Sequence, residues 1–540
     1  MSVELPAPAT RIVWPRDEAL PPPGDPARPS TLTLGDPAAP GAPAGVESSV
    51  VLDFGLERHG GVRFRVLEIR GAGSCRLRVR LGESVSEAIA GSYADRALEV
   101  APGSTVDVGE TGFRFARVDV EPSPAVVRLT LPEAYDRINP APRVGSFACS
   151  DPRLDRIWEV GARTVHLGMQ GGRIWDGIKR GRTVWAGDLW PAARAVAAVF
   201  GPHPSVGASL DQLRDATTAD DDPGPDWMNG IPAYSLWWII IQAEWHDFTG
   251  DRAYLAAQHG YLAILLGLID EEVDAAGGED FMGWRYLDWA TTRDLAAIAA
   301  GYHGLLAWAL RAASAVAGHL GDPALAARAG ATLARVEAHR PPPSASKAAA
   351  ALLALGGRVD PVEINRLVLA PDPAAGLTPF LGLAVLDARA LAGDHLGALA
   401  LIRTYWGAMV DLGATTFWED FDLDWVAGSG RVDEIVPAGL RDIHRGLGRN
   451  TQRGLGLSLC HPWSAGPTPW LGRHVLGVVP LEPGFRSVRI EPHLGDLAWA
   501  EGAVPTPDGP IRIRHDRRGD GSVGTEYDAP STVRVDLSPP

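Results

Sequence analysis

The apolar pattern of this chain changes period twice, and the change restricts its fold more than any other feature. From residue 46 to about 146, segments such as SSVVLDFG, GVRFRVLEIR, SCRLRVRLGE and AVVRLTLPE alternate apolar and polar positions between Gly, Pro, Ser and Asp turns. Period two over that length predicts an antiparallel β-sandwich. At Ser150-Asp151-Pro152 an N-cap signature opens LDRIWEVGARTVHLGMQ, in which Leu154, Ile157, Trp158 and Val165 share one helical face. About a dozen helical stretches follow, in antiparallel succession, and predict a helical toroid, an (α/α)6 barrel, instead of a parallel α/β sheet. After about Trp470 short strand patterns return, the last of them reading as a hairpin joined through the Gly-rich turn around Gly519 to Gly521. The predicted division is an irregular arm over 1–45, rich in Pro, Gly and Ala, a β-sandwich over 46–146, the barrel over 147–474 and a second β-sandwich over 475–540.

Composition removes several functional classes. A chain of 540 residues exceeds a single core, and 46% hydrophobic side chains exclude a disordered protein. A net charge of −16 argues against affinity for nucleic acid or an anionic membrane. No stretch approaches the roughly 18 apolar residues of a membrane span, and the N-terminus lacks a basic start and an apolar run, which predicts a cytoplasmic protein. Cys75, Cys149 and Cys460 lie too far apart for a CxxC pair and read as buried small hydrophobes. Sixteen of the 18 tryptophans fall between Trp158 and Trp470. Single tryptophans ordinarily fill cores, but flat indole faces also pack on sugar rings, so the cluster tilts the reading toward a carbohydrate partner.

Three polar segments interrupt the helices. WDGIKRGRTVWAGDLW, residues 175–190, holds two carboxylates, three cations and three tryptophans in sixteen residues. It is hard to bury as core and too aromatic for a simple solvated loop, so it reads either as a ligand-facing loop or as an ion-paired one in which arginines clamp Asp176 and Asp188. GATTFWEDFD, residues 413–422, sets Glu419 against Phe417 and Trp418; a carboxylate desolvated in this way has a raised pKa and serves as a general base. HPWSAGP, residues 461–467, holds His461 in a Pro- and Gly-fixed loop, where a structural histidine is the default. The acidic runs Asp220-Asp221-Asp222 and Asp420 to Asp424 could hold calcium, but neither has helix–loop calcium spacing, and no nucleotide, flavin or haem motif is present, so no cofactor is assigned.

In order and content these segments resemble the bacterial α-L-rhamnosidases of glycoside hydrolase family 78 and their six-hairpin glycosidase relatives. The family's first loop reads approximately D-C-P-x-R-E-R-x-G-W-x-G-D, and Asp176, Arg180, Arg182, Trp185, Gly187 and Asp188 match it without a gap. The second motif, G-A-T-T-x-W-E, is matched at every fixed position by residues 413–419. The resemblance extends to GFRFARVDV, DRIWEVG and LEPGFRSVRIEP, and so covers most of residues 46–515. It implies inverting hydrolysis, in which one carboxylic acid protonates the leaving oxygen and an opposite carboxylate activates water. Glu419 then matches the base. Asp176 and Asp188 match carboxylates that hold sugar hydroxyls or support the acid; Arg180, Arg182, Asp288, Trp289 and His461 become sugar-site residues, and Trp185 and Trp418 pocket walls.

One departure stands out. The family's proton donor is the Glu directly after the first Arg of the loop, and here that residue is Gly181. Asp188 is the first replacement to consider, with Asp226, Glu244 and Asp288 behind it. Three readings follow: a rhamnosidase-like hydrolase with a relocated acid; a lyase of the same fold that eliminates across a rhamnose–glucuronate linkage, using Lys179, Arg180 and Arg182 to neutralise the uronate; and a noncatalytic sugar-binding protein. All three take a carbohydrate partner, a rhamnoside or its uronate-linked form; the sequence does not set the oligomeric state.

Overall fold

A computed structural model describes residues 2–38, 42–91, 93–218, 227–446 and 453–537. The first strands are β1 (Val3–Pro8), β2 (Arg11–Trp14), β3 (Glu18–Ala19) and β4 (Thr31–Gly35), followed by the long β5 (Ser49–Arg70) and β6 (Cys75–Gly82). Helix α1 (Val85–Ala90) then leads to β7 (Ala94–Val100), β8 (Thr105–Val120), β9 (Val126–Thr130) and β10 (Glu133–Ile138). The main path of this ten-stranded sheet runs β1-β10-β5-β8-β6-β7, and β5 carries the longest pairing, antiparallel to β8. The alternation read in the sequence is the burial pattern of β6, whose Cys75, Leu77, Val79 and Leu81 are buried.

Residues 1–45, read as an irregular arm, instead supply β1 to β4. Pro6 and Pro8 hid the first of these, because prolines cannot donate to a ladder; β1 lies at the sheet edge, paired only with β10, where a missing donor costs little. Strand β11 (Ser146–Cys149) also departs from the expected division, pairing with a strand 350 residues later and not with its neighbours in sequence.

The helical region opens with α2 (Pro152–Gly168), a short hairpin of β12 (Met169–Gln170) and β13 (Arg173–Ile174), and α3 (Ala186–Phe200). Then come α4 (Pro204–Thr218), α5 (Pro232–Thr249), α6 (Arg252–Ala257), α7 (His259–Glu272), α8 (Leu295–Leu320), α9 (Pro323–Ala338) and α10 (Lys347–Leu355). After α11 (Pro361–Ile364), α12 (Pro379–Leu391) and α13 (His395–Asp411) complete the run. Aspartates start many of these helices: the side chains of Asp151, Asp251, Asp294, Asp322, Asp360 and Asp394 each accept a free first-turn N–H. Contacts run from α2 to α3, α5, α8, α10, α12 and α13, and from α13 back to α2. Inside this circuit Trp190 stacks on Trp237 with centroids 4.4 Å apart, and Trp308 packs edge-on to both. Most tryptophans are therefore core residues. Helix α8 is long and apolar enough to cross a membrane by composition, but it is largely buried against α5, α9 and α10.

Strands β14 (Ser429–Gly430) and β15 (Arg441–Asp442) and helices α14 (Ile443–Gly446) and α15 (Pro467–Trp470) punctuate the following loops. The C-terminal strands are β16 (Val478–Pro480), β17 (Ser487–Ile490), β18 (Trp499–Val504), β19 (Ile511–Arg517), β20 (Val523–Asp528) and β21 (Arg534–Asp536). They form two sheets, β11-β18-β19-β20 and β16-β17-β21. The Gly-rich turn does make a hairpin, of β19 with β20, but the last strand leaves it and pairs parallel to β17.

The N-terminal sheet also grips the loops of the helical region. Arg114 on β8 forms a bidentate pair with Asp53 on β5, at 2.8 Å to each oxygen, and donates to the Gly413 carbonyl at 3.0 Å. The backbone N–H of Glu57 donates to the Thr415 hydroxyl at 2.8 Å, and the Gly112 N–H to the Ile178 carbonyl at 3.1 Å. Arg114 and Asp53 are both buried, so deleting the cation leaves a buried carboxylate short of its main partner. Arg114→Met is expected to lower unfolding stability by about 3–5 kcal/mol, read as a drop in the urea midpoint. A loss below about 1 kcal/mol would mean that Arg11, 3.3 Å from Asp53, compensates the carboxylate unaided.

Candidate functional site

Three loops meet against α1 and the N-terminal sheet: residues 175–185 between β13 and α3, residues 413–425 after α13, and residues 453–463. Lys179 anchors the first. Its buried ammonium lies 3.0 Å from Glu83 and 3.2 Å from Glu87, and donates to the carbonyls of Leu455 and Leu457 at 2.9 and 2.6 Å. Glu83 also accepts the Leu459 N–H at 2.6 Å. Among the described residues, Glu83, Glu87 and His444 are the one group with metal-binding proximity, and the Lys179 ammonium already contacts both of its carboxylates. Arg182 also turns away, donating to the carbonyls of Ile178 and Glu110. Of the three cations in the loop, Arg180 alone reaches Glu419.

The Arg180 guanidinium pairs with Glu419 Oε2 and donates through Nε to the Gly456 carbonyl at 2.8 Å. The Ser458 N–H reaches the same Glu419 oxygen at 3.1 Å, and Arg453 stands 3.9 Å from Oε1. Burial pushes the Glu419 pKa up, but the positive charges of His461, Arg180 and Arg453 and the Ser458 N–H outweigh it, and the group is held below its ordinary 4.5. The expected rise from contact with tryptophan is thus reversed. Trp418 is also no pocket wall: only 1% exposed, it packs edge-on to Phe421 in the core.

Asp188, in the first turn of α3, is set by a capping contact from outside the helix, since Asn229 Oδ1 accepts the Ala186 N–H at 3.1 Å. Its carboxylate is taken up on both sides, by His461 Nε2 at 2.9 Å and by the Tyr234 hydroxyl at 3.2 Å. Asp176 lies beside them. Its Oδ1 accepts the Thr183 N–H at 3.1 Å, and burial, reinforced by the negative charge of Asp188, raises its pKa to about 6 against the lowering influence of His461.

Asp288 and Asp420 complete the acidic group. Asp288 Oδ2 accepts the Thr378 hydroxyl while Oδ1 has no partner, and burial raises its pKa to about 7. Neither oxygen of Asp420 has a partner; burial, then the charges of Asp288 and Glu419, raise its pKa to about 8. The Tyr286 hydroxyl, the Trp289 indole N–H and His461 Nδ1 are likewise buried without partners. The aromatic rings form one band: Trp185 on Tyr234 at 6.1 Å, Tyr234 on Tyr286 at 6.0 Å, and Tyr286 on Trp289 at 5.0 Å. The Arg453 guanidinium, 5.7 Å from the Trp289 ring, joins the band to Glu419.

The structure therefore brings together Asp176, Arg180, Trp185, Asp188, Asp288, Trp289, Glu419 and His461, and leaves Arg182 and Trp418 out. Glu244 is elsewhere, beside a cavity of about 970 Å³ against the C-terminal strands, where Arg194 donates to it at 2.8 Å. Asp226 and the Asp220 to Asp222 run lie outside the described residues. Sequence reasoning missed Asp420, Tyr234, Tyr286 and Arg453. Asp420 lies next to Glu419 in an acidic run weighed above only as a calcium site, and no local pattern marks the other three.

A family model described as the bacterial α-L-rhamnosidase six-hairpin glycosidase domain matches residues 142–314, and one described as the bacterial α-L-rhamnosidase C-terminal domain matches residues 477–540. An α-L-rhamnosidase of Alteromonas sp. (strain LOR) is 30% identical over 170 residues, which is 30% of this chain and 16% of that protein. The GH78 rhamnosidase of Bacillus sp. GL1 superposes with a TM-score of 0.75 and 25% identity, over 91% of this chain and 53% of that one. A rhamnosidase from Klebsiella oxytoca, solved with rhamnose bound, shares the fold at a TM-score of 0.69 and 23% identity, over 88% of this chain and 96% of that one. The chain thus spans about half the length of the Bacillus relative and a smaller part of the Alteromonas one. It carries a six-hairpin glycosidase domain. Both matched segments are similar to domains of bacterial α-L-rhamnosidases.

A buried carboxyl without partners lowers stability, and Asp420 supplies a measurable case. Its folded pKa is raised, so the native state binds a proton that the unfolded chain releases near pH 4, and stability falls as pH rises from about 4 toward 8. Asp420→Asn cannot ionise. At pH 8 the variant is expected to be more stable than the parent by about 1–3 kcal/mol in thermal melts, the gap closing as pH falls toward 4. A variant less stable at every pH would show that Asp420 makes a stabilising contact.

Proposed function

We propose that this chain is an inverting glycosidase that removes a terminal α-L-rhamnosyl unit, with Glu419 as general base. The helix circuit is read as an (α/α)6 barrel over about 147–474, flanked by β-sandwiches at 46–146 and 475–540. The observation that carries the proposal is the division of charge in one enclosure. Glu419 is kept ionised by Arg180, Arg453 and His461, whereas burial favours the neutral form of Asp176, Asp288 and Asp420. Glycoside hydrolysis by inversion needs that division: a carboxylate to take a proton from water and a neutral acid to give one to the leaving oxygen.

The unpartnered atoms suit a polyhydroxylated ligand. Asp288 Oδ1 and both Asp420 oxygens offer hydrogen bonds, as do the Tyr286 hydroxyl and the Trp289 N–H, and the Trp185 to Trp289 band offers apolar faces to the C–H side of a sugar ring. No comparable feature favours elimination across a rhamnose–glucuronate linkage. That reading called on Lys179, Arg180 and Arg182 to neutralise a uronate, and the first and last are engaged by Glu83, Glu87 and backbone carbonyls.

The test is release of p-nitrophenol and free rhamnose from p-nitrophenyl α-L-rhamnoside. Glu419→Gln is expected to lower kcat by at least about 100-fold with little change in KM, because the amide keeps the shape and loses the base. Unsaturated uronate from a rhamnosyl-glucuronate oligosaccharide, with no aryl glycoside cleaved, would overturn the proposal in favour of a lyase. Sugar-dependent stabilisation without product from either substrate would leave a binding protein.

A further inference from the structure

Resting on the rhamnosidase reading, we infer that the carboxyl of Asp176 has taken over as proton donor from the side chain that the family carries at position 181.

The geometry starts at Gly181. Its φ is +72°, a conformation that L side chains rarely adopt, and it is exposed. A Cβ placed on it would lie 2.8 Å from Oδ1 and 2.9 Å from Cγ of Asp176, and nearer still to Oδ2. The space into which a side chain at 181 would project is therefore filled by the Asp176 carboxyl. Losing the glutamate has not left a hole. An aspartate that the family motif also carries, five residues earlier in the same loop, here has its carboxyl in the place where that side chain would begin.

The other carboxyls are less suited to the task. Both oxygens of Asp188 are engaged, by His461 and Tyr234, and Glu244 is paired with Arg194 beside a different cavity. Asp420 follows the base directly in the chain, whereas acid and base must flank the scissile bond. Asp288 Oδ2 accepts the Thr378 hydroxyl, and the residue is only 1% exposed. Asp176 comes from a different loop than Glu419, and 6% of its surface remains open beside the exposed Gly181. Arg180 lies between the two carboxyls in charge: it pairs directly with Glu419 and feels the field of Asp176.

The step balances as follows. The Asp176 O–H transfers its proton to the glycosidic oxygen as the C1–O bond breaks, while water attacks C1 from the opposite face and gives a proton to Glu419. The products are rhamnose with inverted anomeric configuration and the aglycone alcohol. Asp176 is left ionised and Glu419 protonated, and exchange with solvent restores both.

The groups facing Asp176 define its titration. They are Arg180 and the N–H groups of Gly177 and Thr183 in its own loop, Asp188 on α3, Tyr234 on α5 and His461 from the late loop. The donor must be protonated, so kcat/KM on a substrate that needs the proton is expected to fall as pH rises through about 6.

The test compares a rhamnosyl disaccharide, whose leaving group needs a proton, with 2,4-dinitrophenyl α-L-rhamnoside, whose leaving group does not. Asp176→Asn is expected to lose about 10²- to 10⁴-fold in kcat/KM on the disaccharide and less than about tenfold on the dinitrophenyl glycoside. The limb near pH 6 should be present for the parent on the disaccharide and absent on the activated substrate. In the Asp176→Ala background, where room is made, Gly181→Glu is expected to restore disaccharide hydrolysis. Equal losses on both substrates, or none on either, overturn the assignment while leaving the rhamnosidase reading intact. Failure of the parent protein to cleave either substrate overturns that reading instead, and the assignment with it.

Discussion

Five carboxyl groups, those of Asp176, Asp188, Asp288, Glu419 and Asp420, are buried around one aromatic enclosure, and they cannot all be ionised there. Where the cations stand decides which of them keeps its charge. Arg180, Arg453 and His461 converge on Glu419 and hold it ionised against a desolvation that acts on its neighbours as well. Asp288 and Asp420 have no cation beside them: burial raises both, and at Asp420 the charges of Asp288 and Glu419 add to the rise. The division of charge thus comes from the placement of two guanidiniums and an imidazole, not from the identity of the carboxyl side chains.

That placement depends on the N-terminal sheet. The three loops that carry the site contain little regular structure, and their backbone groups are satisfied largely from outside. Lys179 binds the first loop to Glu83 and Glu87 and the third through the carbonyls of Leu455 and Leu457, while Glu83 accepts the Leu459 N–H next to the Ser458 that supports Glu419. Arg114 and Glu57 hold the opening of the second loop at Gly413 and Thr415. A lysine ammonium shared by two carboxylates and two carbonyls is fully coordinated, which fixes its neighbours Arg180 and Gly181 in the chain. The N-terminal sheet is therefore part of what orients Glu419.

The sequence was most informative where periodicity or a contiguous motif carried the signal. The change from period two to a helical period marked the β and α regions, and the loop motifs picked out Asp176, Arg180, Asp188, Glu419 and His461, which meet in space. It was weakest where the deciding neighbour is distant in the chain. The direction of the Glu419 shift depends on Arg453 and His461 as well as on the indole beside it, and Arg182 is drawn off by the Glu110 carbonyl, 72 residues away. Strand β1 was obscured by its two prolines, because edge position is a property of the whole sheet. Tyr234 and Tyr286 sit in ordinary apolar surroundings, and only the meeting of α5, α3 and the residue 284–289 loop gives them a role.

Gly181 shows how one position in a loop sets the room that a neighbouring side chain has. A side chain at 181 on this backbone would meet the Asp176 carboxyl, so a loop that carries both residues, as the family motif does, must turn one of them aside. Glycine removes the conflict, permits the positive φ, and leaves the shorter carboxyl of Asp176 as the occupant. The Thr183 N–H then fixes one of its oxygens from across the loop, while Asp188 and His461, paired with each other, flank it with opposite charges. Glycine at 181 therefore differs from alanine, whose Cβ would still meet the Asp176 carboxyl. The residue that looks like a deletion in the sequence is, in three dimensions, what leaves the Asp176 carboxyl the space it occupies.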